Sequence, residues 1–144
     1  LYESIQITDC GPVSGHSAQT QAKLQIMMQY IHDNYSGQIT LDDIAGTVLI
    51  CKSSVLNIFR IYLHTSPINY VVEYRLKRAS KLLVDTENSV CAIAHETGFE
   101  NIGYFCRRFK KLYGVTPINY RKYYRSAERN SMRNIHSDTN VLSG

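Results

Sequence analysis

Apolar residues recur at helical spacing along most of this chain, and they do so in two similar sets. Leu24, Met27, Met28 and Ile31 fall three, one and three apart, on one face of a helix that starts near Ala18 and ends around Tyr35-Ser36-Gly37. Thr40 then precedes Leu41-Asp42-Asp43-Ile44-Ala45. A hydroxyl at the N-cap, a carboxylate three positions on and two acids in the first turn all favour a helix start there. This second helix is short and gives way between Val48 and Ile50. A third runs from about Lys52 to Leu63, with Val55, Ile58, Phe59 and Tyr62 on one face. Ser66-Pro67 opens a fourth, a hydroxyl cap followed by proline at the first helical position, which reaches about Val84. Its apolar set includes Val71, Leu76, Ala79, Leu82 and Leu83.

The scheme then repeats. Ser89 caps a helix holding Val90, Ile93 and Ala94, and Gly98-Phe99 breaks it. Asn101 caps the helix of Phe105, Phe109 and Leu112, which stops at Gly114. Thr116-Pro117 opens a last helix through about Tyr124. The repetition extends to identities. Pro67-Ile68-Asn69-Tyr70 returns fifty residues later as Pro117-Ile118-Asn119-Tyr120, and Phe59-Arg60 returns as Phe109-Lys110. Tyr74-Arg75 returns as Tyr124-Arg125. Ile44-Ala45 pairs with Ile93-Ala94 at an offset one shorter, so one residue is gained in between. The expectation is an all-α chain of about seven helices, two related units joined by a connecting helix. Residues 19–85 form the first unit with the connecting helix, and residues 86–125 the second.

Outside these spans the periodicity stops. Residues 1–18 contain Gly11, Pro12, Ser14, Gly15 and Ser17 and read as a linker. Residues 126–144 are rich in Ser, Asn and Arg and read as a disordered tail. The chain starts at Leu1 rather than Met, which suggests a segment of a longer product. It shows no signal peptide and no apolar run long enough to span a membrane.

Composition adds two points. The formal charge is only +4, but seven Lys or Arg and no Asp or Glu lie between Arg107 and Arg125. A one-signed stretch on helices suits an anionic partner, or a solvated basic face. The four cysteines, Cys10, Cys51, Cys91 and Cys106, form no C-x-x-C pair, and no histidine stands at zinc-finger spacing. Cys91 and Cys106 fall within helical patterns and are expected to be buried thiols in a reducing, cytosolic setting.

Each unit shows a short helix containing Ile-Ala, a tight break and a longer helix with one apolar and one polar face. That is a helix-turn-helix pattern. Ala45 and Ala94 allow two steeply crossing helices to approach, and Gly98 suits a turn with positive φ. The stretch from Ala92 to Arg121 reads Ala-Ile-Ala-His-Glu-Thr-Gly-Phe-Glu-Asn-Ile-Gly-Tyr-Phe-Cys-Arg-Arg-Phe-Lys-Lys-Leu-Tyr-Gly-Val-Thr-Pro-Ile-Asn-Tyr-Arg. It resembles the signature of the AraC/XylS family of bacterial transcription regulators. The first unit is similar more loosely, through Ile39-Thr-Leu-Asp-Asp-Ile-Ala and Phe59 to Arg75. His64 stands where the family has Gly, and Cys51 where a capping Ser is common.

The resemblance implies seven helices, two helix-turn-helix units and sequence-specific binding to double-stranded promoter DNA, commonly as an activator that works with RNA polymerase. It implies a cytoplasmic protein whose sensing and dimerisation reside in a companion domain, the isolated segment being monomeric. Residues placed towards base edges are Ser53 and Asn57 in the first unit, and Asn101, Ile102, Gly103, Tyr104 and Arg107 in the second. Arg107 suits guanine, Asn57 adenine and Ile102 a thymine methyl; packing inside the protein is the competing role for Ile102 and Tyr104. Lys52, Arg108, Lys110, Lys111, Arg121 and Lys122 are candidates for phosphate contacts.

Two rival classes are weighed against this reading. His95-Glu96 begins like a zinc-protease motif, but Phe99 stands where the second His is needed, and no P-loop, dinucleotide loop or nucleophile elbow occurs. No catalytic residue, metal or cofactor is therefore expected. A helical protein-interaction module would account for the repeat but not for the polar N-terminal helix faces followed by basic residues.

Overall fold

The computed structural model describes residues 18–143, with side chains described for 18–133. The linker expected over residues 1–18 lies outside the described residues except for Ala18, which opens the first helix. Seven helices follow in order among the described residues, and no strand occurs there. They are α1 (Ala18–Asn34), α2 (Leu41–Thr47), α3 (Lys52–Leu63), α4 (Pro67–Asp85), α5 (Val90–Glu96), α6 (Ile102–Tyr113) and α7 (Pro117–Ser143). The chain divides into two compact units between Arg75 and Leu76, inside α4. The connecting helix is thus shared by the two units, where the sequence reading assigned it to the first.

In the first unit, Leu24, Met27 and Ile31 of α1 pack with Ile44 and Ala45 of α2, Val55, Ile58 and Phe59 of α3, and Val71 of α4. Phe59 is fully buried and meets Tyr70 edge-on at 5.7 Å between ring centroids. The axes of α2 and α3 differ by 85°, and the small Ala45 at 5% exposure sits on the inner face at this bend. In the second unit, Ile93, Ala94, Phe105 and Phe109 are fully buried together with Leu76, Ala79 and Leu83. An aromatic series runs through this core, Phe99 to Phe105 at 5.0 Å, Phe105 to Phe109 at 5.8 Å and Phe109 to Tyr120 at 5.2 Å.

Local chemistry sets the helix boundaries. Thr40 and Asp43 exchange hydrogen bonds in a full capping box, Thr40 N to Asp43 Oδ2 at 2.9 Å and Asp43 N to Thr40 Oγ1 at 3.1 Å. The first of these bonds holds the Asp43 carboxyl below the usual carboxylate range. Ser89, Ser66 and Thr116 accept from Ala92, Asn69 and Asn119 backbone N–H groups in the same manner. α5 ends in a Schellman motif, with Gly98 N to His95 O at 3.0 Å and Phe99 N to Ala94 O at 2.9 Å, Gly98 at φ 96°.

Two sequence expectations differ from the structure. The tail continues α7 as helix to Ser143, because residues 126–143 contain no Gly or Pro to stop it. Cys91 is exposed and Cys106 half-buried. In the short α5 only the Ile93-Ala94 side turns inward, and Cys91 lies about 200° round the helix from Ile93.

Candidate nucleic-acid interface

The second unit builds its outward face from the N-terminal end of α6. Asn101, exposed, is the N-cap: its Oδ1 accepts from Tyr104 N at 2.8 Å. Ile102 is half-buried, and Gly103 offers only backbone. Tyr104 is 37% exposed, and its ring packs towards Phe99 at 6.3 Å. Its hydroxyl accepts from Arg108 Nη1 at 3.2 Å. Arg107 is exposed, and a Cβ placed on Gly103 would lie 3.5 Å from Arg107 Nη1, so the guanidinium reaches back one turn towards the helix start. Lys110, Lys111 and Lys122 are exposed. The structure therefore brings Asn101, Ile102, Gly103, Tyr104 and Arg107 together at one helix end, with Arg108 braced against Tyr104.

The first unit offers a sparser version. Ser53 is exposed on the first turn of α3. Asn57 is half-buried, its Oδ1 accepting from Arg60 Nη2 at 3.2 Å. Lys52 pairs with Asp42 at 3.1 Å, both largely exposed. Cys51 makes no side-chain capping bond to α3, unlike Asn101 at α6. Two residues adopt left-handed backbone where the second unit has glycine: Leu49 at φ 55° stands for Gly98, and His64 at φ 55° for Gly114 at φ 81°. Sequence reasoning flagged His64 but missed Leu49, although the one-residue offset of Ile44-Ala45 from Ile93-Ala94 was the signal that aligns it with Gly98.

One phosphate candidate has another job inside its unit. Arg121 donates from Nε to Leu83 O at 2.7 Å and from Nη2 to Thr86 O and Asn88 O at 3.2 and 2.6 Å. Arg125 joins it on Thr86 O at 2.6 Å and pairs with Glu87 at 2.7 Å, which lowers the Glu87 carboxyl pKa. In the first unit Arg75 does the equivalent, donating to Tyr35 O and Gly37 O at 2.7 and 2.6 Å. In each unit, then, the arginine of the repeated Tyr-Arg pair donates to carbonyls just beyond the C-terminus of the unit's first helix. The repeat of Tyr74-Arg75 as Tyr124-Arg125 was visible in the sequence, but its purpose was not. Arg60, the counterpart of Lys110, was also passed over.

The electrostatics of the two units differ. Residues 18–75 carry four basic and four acidic side chains, a net charge of zero. Residues 76–133 carry twelve basic and five acidic, a net of +7. No group of three or more His, Cys, Asp or Glu able to hold a metal occurs among the described residues.

A polar helix end presented after a tight turn in both units, side-chain-capped and basic in the second, in an all-helical arrangement of the described residues, defines a helix-turn-helix protein. Comparison with known proteins agrees. The family model described as a helix-turn-helix domain matches residues 39–123. A transcriptional regulator with an AraC-type DNA-binding domain from Chromobacterium violaceum superposes with a TM-score of 0.69 at 30% identity, over 74% of this chain and 95% of that one. The helix-turn-helix-type transcriptional regulator YdeC of Bacillus subtilis is 31% identical over 100 residues, 69% of this chain and 34% of that protein. The DNA-binding domain of AdpA, determined in complex with a target DNA, shares the fold with a TM-score of 0.66 at 20% identity, covering 73% of this chain and 94% of that one. The chain belongs to the AraC-type helix-turn-helix family and is the DNA-binding domain of a transcriptional regulator. It spans about a third of the length of YdeC and 61% of another matched regulator, from Pseudoalteromonas carrageenovora.

Proposed function

We propose that this domain reads promoter DNA sequence-specifically through the N-terminal ends of α3 and α6, as part of a bacterial transcription activator that acts on RNA polymerase in the cytoplasm. The observation that carries this reading is the cluster at the start of α6, where Asn101 caps the helix and Arg107 extends back over Gly103. The N-terminal end of a recognition helix is the part that meets base edges. Arg107 supplies a bidentate donor for guanine, Asn57 and Ser53 supply polar contacts from the first unit, and Ile102 an apolar one. Asn101 and Tyr104 support the helix end as much as they face outward. Lys52, Arg108, Lys110, Lys111 and Lys122 are the phosphate contacts; Arg121 is withdrawn from that group because its guanidinium serves its own unit's carbonyls. The isolated domain acts as a monomer, and dimerisation belongs to the longer protein.

The test is a gel shift with genomic promoter fragments followed by selection on randomised operators. A selective shift, with base preference relaxed at one base pair by Arg107→Ala and at another by Asn57→Ala, is expected, each at a cost of ~1–3 kcal/mol. Absence of any shift at low salt would overturn the reading.

A further inference from the structure

Gly103 is the second residue of α6, and its backbone is helical with no positive φ. No backbone requirement calls for glycine there, and glycine weakens a helix relative to alanine. The space it leaves open is specific. A Cβ at this position would stand 3.2 Å from Asn101 Oδ1 and 3.5 Å from Arg107 Nη1. Positions 103 and 107 are one turn apart on the same helix face, and helical side chains lean towards the N-terminus. The Arg107 guanidinium consequently lies along the track that a side chain at 103 would occupy, beside the oxygen that caps the helix. The first unit has Ser53 and Asn57 at the corresponding positions. Asn57 has too short a side chain to reach back in this way and instead accepts from Arg60, further along its own helix.

We propose that Gly103 is a specificity-determining position that acts through Arg107: the absent side chain keeps open the path by which the guanidinium reaches the N-terminal end of α6 and a guanine edge there. The proposal rests on the reading of Arg107 as a base contact and adds a second residue to that contact. Gly103 is a positioning residue; it offers the base no side chain of its own. A bulky side chain at 103 pushes the guanidinium off this track. A single methyl meets Arg107 at ordinary contact distance and displaces it little, while the Asn101 amide gives by a few tenths of an ångström.

The experiment is operator selection with the full chain for Gly103→Ala, Gly103→Leu, Gly103→Met, Arg107→Ala and the double variant Gly103→Leu/Arg107→Ala, each with a thermal melt. Leu and Met are good helix formers, which offsets the crowding of the exposed capping Asn101 Oδ1 by the new Cβ at 3.2 Å, so melting temperatures close to wild type are expected. Both bulky variants are expected to lose guanine preference about fivefold or more at the one base pair that Arg107→Ala relaxes. Gly103→Ala is expected to keep most of it, and the double variant to match Arg107→Ala alone. Wild-type preference in both bulky variants, with Arg107→Ala relaxed, overturns the role of Gly103 and leaves Arg107 as a reader. The same holds if Gly103→Leu shifts preference equally with and without Arg107, since the new side chain then contacts the base itself. If Arg107→Ala relaxes no position, the base-reading assignment fails and this proposal falls with it. Loss of preference that tracks a lowered melting temperature in both bulky variants also overturns it, because disruption of the helix then accounts for the loss.

Discussion

Leu49 and His64 hold left-handed backbone without being glycine, each where the second unit uses one. The left-handed region costs an L-residue ~1–2 kcal/mol, and glycine returns part of that gain through its larger unfolded-state entropy. Leu49→Gly and His64→Gly are each expected to stabilise the domain by about 0.5–1 kcal/mol, seen as a raised midpoint in urea. A decrease would mean that these side chains make contacts worth more than the strain. His32 is a second informative residue. It stacks on Tyr74 at 4.2 Å and shares a 2.8 Å hydrogen bond with the Tyr70 hydroxyl. Burial lowers its pKa, opposed by Asp33. The folded state thus favours neutral imidazole. Its contribution is complete above the unfolded value of 6.5 and is lost as pH falls through the depressed folded value. Melting temperature should fall between about pH 7.5 and 5.5, and less so in His32→Gln; equal falls in the two proteins would exclude His32 as the source.

The helices form where sequence chemistry points and are held by a few side chains buried between them. Phe59 and Phe109 are both fully buried at equivalent places of the two units. Either truncation to Ala should cost ~3–5 kcal/mol, and Ala94→Leu, at a fully buried position, ~1–3 kcal/mol through overpacking. Thermal or urea melts at wild-type stability would contradict the packing. Arg121 gives a different kind of element-level test. It ties α7 to Leu83 of α4 and to Thr86 and Asn88 beyond that helix. Arg121→Ala should therefore destabilise by ~1–3 kcal/mol while leaving the salt dependence of DNA binding unchanged. A lower salt slope with unchanged stability would restore it as a phosphate contact.

The charge of the molecule is concentrated in residues 76–133, and residues 18–75 are balanced. Each phosphate neutralised adds about 0.9 to the slope of log affinity against log salt. Lys110→Ala and Lys122→Ala should each lower that slope by close to this amount and weaken all sequences alike. Lys52→Ala should lower it less, because Lys52 already shares its charge with Asp42. Binding titrations from low to moderate salt measure all three, and equal slopes for wild type and the Lys110 variant would remove that residue from the interface.

Element type, order and number were legible in the sequence because they depend on local terms. The apolar period of Leu24, Met27 and Ile31, the Thr40 box, the Pro67 and Pro117 starts and the Gly98 and Gly114 stops all act within one or two turns. The family was legible for a related reason: the Ala92–Arg121 motif records the same turn and core in one continuous run. The resemblance also pointed to Asn101, Ile102, Gly103, Tyr104 and Arg107, which share one helix end; their contact with bases is a proposal. Tertiary contacts decided the rest. Whether Arg121 meets a phosphate or the carbonyls of Leu83, Thr86 and Asn88 depends on which chain ends lie within reach of its guanidinium, thirty-three to thirty-eight residues away. The left-handed backbone that Leu49 adopts without being glycine likewise follows from packing, a quantity that local propensity and periodicity do not contain.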